Sequence, residues 1–139
     1  MSTRQIPYNE LDANMINLVR ALNSYPGVTT IGSCGGHEEP LKPGQWSAGT
    51  WYVKFDISKD RLGWYVLEFL AWAINNDAAR TLASWDHLVL LPKAAPPYLN
   101  TPGDMLSFVL ESYNGQDPDD LAAFLEKVRP EFILPDSQT

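Results

Sequence analysis

Between Trp51 and Ile57 the chain alternates without a break: Trp51, Val53, Phe55 and Ile57 are apolar, and Tyr52, Lys54 and Asp56 stand between them. Successive side chains of a strand point to opposite faces, so this spacing predicts a strand with one face in a core and the other toward solvent. Directly afterwards, Arg61 to Asn76 carries Leu62, Val66, Phe69, Leu70, Ala73 and Ile74 at helical spacing, flanked by Trp64 and Trp72. A half-buried strand followed at once by such a helix calls for a layered α+β fold, with helices covering the apolar face of a sheet. Because the helix is apolar on most sides, it is expected either to be deeply buried or to have its second face covered by a partner subunit, which makes a homodimer a candidate.

The other segments complete that reading. Glu10 to Ser24 reads as a helix, with Asn9 as N-cap, Asp12 three residues on, and Leu11, Met15, Val19 and Leu22 on one stripe. Tyr25-Pro26-Gly27 ends it, and Val28 to Ser33 is rich in β-branched residues and reads as a strand. Cys34 to Gly49 is a long loop with Pro40, Pro43 and Gly44. The apolar run His87 to Leu91 suits a strand over Trp85 to Leu91, and a Pro-rich loop from Pro92 to Gly103 leads to another over Met105 to Tyr113. Asn114-Gly115 turns the chain, Asp117-Pro118-Asp119-Asp120 starts the last helix, and Pro130 ends it. The expected order is α-β-β-α-β-β-α in one domain over residues 1–139. It forms a four-stranded mixed sheet with helices packed mainly on one face, and 1–8 and 131–139 are flexible tails.

Composition narrows the function classes. The net charge is −7, and the ten basic residues are scattered singly rather than clustered. Phosphate backbones and anionic membranes both select for clustered Lys and Arg, so nucleic-acid and membrane-surface partners are disfavoured. The single cysteine excludes an intramolecular disulfide and fits a reducing, cytoplasmic setting. Met1 to Tyr8 has no apolar core of signal-peptide type.

Chemistry concentrates at Ser33-Cys34-Gly35-Gly36-His37, which holds the only cysteine, one of two histidines and two of nine glycines. Three readings are open. Cys34 can be a nucleophile with His37 as its base and the N–H groups of Gly35 and Gly36 as oxyanion donors. Cys34 and His37 have the spacing of two ligands to one zinc ion, with His87 or Glu38 as a third. Ser33, Gly35, Gly36 and Trp51 can instead cradle the anionic part of a small-molecule ligand or cofactor. The bland counterpart of all three is a tight structural turn. For His87 that counterpart is a hydrogen-bonded core histidine, and for Tyr52, Lys54 and Asp56 a solvated face. With the buried helix as a crossover, the wiring puts Asp86, His87, Trp51, Tyr113 and the first turn of the last helix at the sheet end that carries Cys34 and His37.

Leu18 to His37, with Leu22-Asn23, Pro26-Gly27, Thr30 and Ser33-Cys34-x-Gly36-His37, resembles a family of small uncharacterised bacterial and phage proteins. More distantly, the order of helix, turn, strand and Ser-x-Cys-x-Gly loop is similar to the wybutosine-synthesis methyltransferases. Those enzymes use S-adenosylmethionine to methylate a guanine derivative in tRNA. The resemblance implies a related fold with a site at Ser33, Cys34, Gly36 and His37, and S-adenosylmethionine as a candidate cofactor. The chain departs from the methyltransferase motif at Ser33, which directly precedes Cys34 with no residue between, at Gly35, where that motif has Ser, and at His37, where it has Arg.

Overall fold

The computed structural model of the protein describes residues 11–78, 93–94, 103, 105–112 and 116–133. The alternating segment is β2 (Trp51–Ser58), central in an antiparallel sheet between β1 (Val28–Cys34) and β4 (Met105–Ser112). The two-residue β3 (Lys93–Ala94) pairs antiparallel with the outer edge of β4. Each pairing between these four strands is antiparallel, which differs from the mixed sheet that the sequence suggests, and a single parallel bridge joins His37 and Ser47 outside them. The strand expected over 85–91, on which the parallel pairing rested, lies outside the described residues, as does the Asn114-Gly115 turn.

Trp51, Val53, Phe55 and Ile57 are all buried, together with Leu110 of β4 and Val28 of β1. The helices supply the other half of this core. α1 (Ile16–Asn23) follows a 3-10 turn over Ala13–Met15 and buries Leu18, Val19, Ala21 and Leu22. α2 (Arg61–Trp72) starts at Asp60, whose carboxylate accepts the Gly63 N–H at 2.9 Å, and continues as a π-helical turn over Ala73–Ala78. That hydrogen bond, with a second from Ser58, lowers the Asp60 pKa. α3 (Pro118–Val128) is capped by Asp117, whose carboxylate accepts the Asp119 N–H at 2.9 Å, and buries Leu121, Phe124, Leu125 and Val128. None of these helices is long and apolar enough to cross a membrane.

Two expectations change in the packed chain. α2 buries only the stripe of Gly63, Val66 and Leu70, leaving Trp64, Tyr65 and Trp72 exposed. Of the segment 131–139 expected to be flexible, 131–133 are among the described residues, and there the Phe132 ring lies 5.4 Å from that of Phe69 and 6.3 Å from that of Tyr25. The contact among these three aromatic rings offsets the chain entropy of ordering Phe132.

One irregularity decides where the chemistry goes. Thr30 pairs with Phe55 and Gly32 with Lys54, so Ile31 is an extra residue in β1. Directly paired residues share a face, and an added residue reverses the alternation beyond it. Val28 and Thr30 therefore face the core with Ile57 and Phe55, whereas Cys34 shares the opposite face with Tyr52. On that face Asp56 is not solvated as its alternation suggests. It is 1% exposed and accepts a hydrogen bond from Ser107 Oγ at 2.8 Å.

Candidate functional site

The sequence places Asp12 inside the first helix, but the helical turns begin after it. Asp12 has an extended backbone (φ −58°, ψ 136°) at the start of the Ala13–Met15 turn, and its side chain caps nothing there. The carboxylate reaches instead to the residues that follow β1. Oδ2 accepts the Gly35 N–H at 2.8 Å and lies 2.9 Å from His37 Nε2. Asn14 Nδ2 donates to the Gly35 carbonyl at 2.9 Å, so two residues of one turn hold the Gly35 peptide by both its polar groups.

The long loop closes the other side. His37 N–H donates to the Trp46 carbonyl at 2.8 Å, and the Trp46 N–H donates to Cys34 Sγ at 3.3 Å. The Trp46 ring stands 4.9 Å from that of Tyr52, whose hydroxyl donates to the Gly44 carbonyl at 2.9 Å. The loop thus folds back over the sheet face that carries Cys34, and Trp46 acts as its inner anchor.

Glycine is required at Gly36 and is closely packed at Gly35, where the neighbour is the movable Asn14 amide. A Cβ on Gly35 would meet Asn14 Oδ1 at 1.9 Å. Gly36 has φ +93° and a Cβ there would meet the Thr50 carbonyl oxygen at 2.6 Å. Close packing therefore accounts for both glycines, and Asp12 occupies the Gly35 N–H that an anion cradle or oxyanion hole would need.

The result is a cluster of three different donors. One ligand atom each from Asp12, Cys34 and His37 lies within 4.8 Å of the others. Cys34 is 3% exposed, whereas the Asp12 and His37 side chains are 32% and 31% exposed, so the cluster has a buried sulfur end and an open nitrogen and oxygen end.

The remaining residues singled out from sequence lie elsewhere. Ser33 faces the core with Val53, and its buried hydroxyl oxygen has no hydrogen-bond partner among the described residues. Trp51 is 2% exposed in the core, on the face away from Cys34, and its Nε1–H donates to the Gln116 carbonyl at 2.7 Å. Its alternation with Val53 and Phe55 makes it a core residue rather than a wall of the cluster. Glu38 is exposed, and Asp86, His87 and Tyr113 lie outside the described residues.

Asp12 is the residue that sequence reasoning missed, because an acid just ahead of an amphipathic run is equally what a helix start requires. Asn23 and Thr30, in the pattern Leu22-Asn23, Pro26-Gly27, Thr30, have a structural use. The Thr30 N–H donates to Asn23 Oδ1 at 2.9 Å, while Asn23 Nδ2 donates to Thr30 Oγ1 at 2.8 Å and to the Val19 carbonyl at 2.9 Å. This pair bolts the end of α1 to β1. Compared with known proteins, the chain matches no family model, no curated protein and no solved structure.

Proposed function

We propose that the protein binds a zinc-class divalent cation through Asp12, Cys34 and His37, and that the open side of this site acts on or holds a small molecule. The observation that carries the reading is the convergence of a carboxylate, a thiol and an imidazole from two separate chain segments within 4.8 Å. Tetrahedral zinc with bonds of about 2.1 Å to N and O and 2.3 Å to S separates its ligand atoms by roughly 3.4 to 3.6 Å. Asp12 Oδ2 and His37 Nε2, at 2.9 Å, need to part by only a few tenths of an ångström to accept such an ion between them.

Two of the three ligands have a supporting contact. The Gly35 N–H holds the Asp12 oxygen, and the Trp46 N–H donates to the Cys34 sulfur. Contacts of this kind orient ligands and tune a metal. A thiolate in the set favours zinc, cobalt or copper over magnesium and calcium. With three protein ligands and an open rim, the fourth position is left for water or substrate, as in catalytic zinc sites that polarise a carbonyl or activate a bound water.

Two other readings have less support. A thiol that is 3% exposed is poorly placed to attack a substrate, though well placed to ligate an ion from beneath. S-adenosylmethionine-dependent methyl transfer draws on the motif resemblance alone, and the glycine turn offers it little because the Gly35 N–H is already taken. A non-catalytic module in which the turn is purely structural is favoured by the same hydrogen bonds that hold the ligands, and it is the alternative to be tested.

The experiment is metal analysis of protein expressed with zinc, paired with cobalt(II) titration read at the thiolate-to-cobalt charge-transfer band. About one equivalent of metal per chain is expected. Cys34→Ser should lose the band, and His37→Ala should weaken binding while the fold is retained. Absence of retained zinc together with a cobalt spectrum that lacks a thiolate band, and a lowered melting temperature in both variants, would establish the structural turn instead.

A further inference from the structure

A groove of about 400 Å³ lies between α2 and the segment after α3, far in sequence from Cys34. Tyr65, Phe69, Trp72 and Phe132 give it aromatic walls, and Glu68 and Glu131 line it with carboxylates. The rings do not form a flat patch. Phe69 is tilted 47° to Trp72 at 5.9 Å and 58° to Phe132 at 5.4 Å, so the ring planes are steeply inclined to one another. Phe69 and Phe132 are braced from behind by Tyr25, 6.1 and 6.3 Å away. Tyr25 is 1% exposed and donates its hydroxyl to the Leu125 carbonyl at 2.6 Å. The outer wall is open, with Trp72 44% and Tyr65 39% exposed.

The charges select the occupant. Among the described residues no basic side chain lines the groove. The nearby Arg129 donates instead to Ser24 Oγ at 2.6 Å, and the Arg61 guanidinium stands over the Tyr65 ring 5.7 Å from its centroid. Aromatic faces carry negative electrostatic potential, and carboxylates at the rim add to it. A purely apolar ligand gains nothing from the two acids. A second copy of this chain brings a net charge of −7 against them, and a twofold contact on this face would set the acids of one copy near those of the other.

We infer that this groove is a binding site for a free small organic cation whose charge is carried by a methylated or alkylated ammonium group. Such a group presents apolar methyls to Phe69, Trp72 and Phe132 while its spread positive charge is balanced by Glu68 and Glu131. The groove is of the size that takes small ligands. It is separate from the Asp12, Cys34 and His37 cluster and stands whether or not that cluster binds metal.

The test titrates the protein with choline and, separately, with 3,3-dimethyl-1-butanol, its uncharged isostere, at constant ionic strength. Tryptophan fluorescence and calorimetry are the readouts. Choline should bind at least roughly tenfold more tightly than the isostere, which is the scale of a desolvated cation over aromatic rings. The double variant E68Q/E131Q, which keeps shape and removes charge, should lower choline affinity several-fold with an unchanged melting temperature. Trp72→Ala should abolish the fluorescence response. Equal affinity for the two probes, no binding of either, or a dimer by light scattering that Trp72→Ala dissociates would overturn the inference. So would association with phosphatidylcholine vesicles without a response to free choline.

Discussion

Asp12 and His37, twenty-five positions apart, meet at 2.9 Å through Oδ2 and Nε2, and the same oxygen accepts the Gly35 N–H at 2.8 Å. One carboxylate therefore both organises the turn after β1 and completes the donor cluster with Cys34. Removing it with Asp12→Ala leaves a half-buried N–H without its acceptor and should cost about 1 to 3 kcal/mol in denaturant unfolding. Asp12→Asn keeps an oxygen for Gly35 but gives up the charge. It should fold nearly as well as the parent while binding cobalt(II) at least roughly tenfold more weakly. Equal cobalt affinity in Asp12→Asn would take Asp12 out of the ligand set.

Gly36 and Gly44 separate backbone conformation from steric contact. Both have positive φ, at +93° and +82°, but a Cβ on Gly36 would meet the Thr50 carbonyl oxygen at 2.6 Å whereas one on Gly44 meets nothing within 4 Å. Gly44→Ala should cost about 1 kcal/mol, the left-handed penalty alone. Gly36→Ala should cost about 3 kcal/mol and displace His37. Comparable melting temperatures for the two variants would contradict the close approach at Gly36.

Asn23→Ala removes three hydrogen bonds, two that join the end of α1 to β1 at Thr30 Oγ1 and the Thr30 N–H and one to the Val19 carbonyl within α1. A loss of about 2 kcal/mol is expected in urea unfolding.

Tyr25 predicts an alkaline transition. Burial pushes its phenol up to about 12; the Arg129 guanidinium pulls the other way and Glu131 adds to the rise. The folded chain thus holds the phenol proton more tightly than the unfolded chain, where the group titrates near pH 10. The stabilisation is complete below about pH 10 and drains away as pH rises through the folded value. Melting temperature followed from pH 9 upward should fall across that window in the parent, and Tyr25→Phe should lack this component. Identical alkaline profiles would show that Tyr25 stays protonated in both states.

Several parts of this molecule were legible in the residues. The alternation of Trp51 to Ile57 placed β2 and its buried face, and Asp117-Pro118 marked the start of α3, because strand alternation and helix capping are local physics. The convergence of chemistry on Cys34, Gly35, Gly36 and His37 was also visible as composition. Less legible was the first helix, where helix-start signals drew the boundary too early and hid Asp12 inside it. Trp51 illustrates the opposite case: the pattern that predicted its burial already excluded it from the cluster on the other face.

The sequence by itself determined the elements and the inventory of reactive groups, since both follow from short-range periodicity and residue type. Only the tertiary structure decided which of those groups meet. The unpaired Ile31 reverses the phase of β1 and carries Cys34 out of the core face, and Asp12 meets the Gly35 N–H from twenty-three positions away. The packing of Phe132 on Phe69 builds a groove from segments more than fifty residues apart. Each of these depends on pairing register and long-range contact, which no local window of the chain contains.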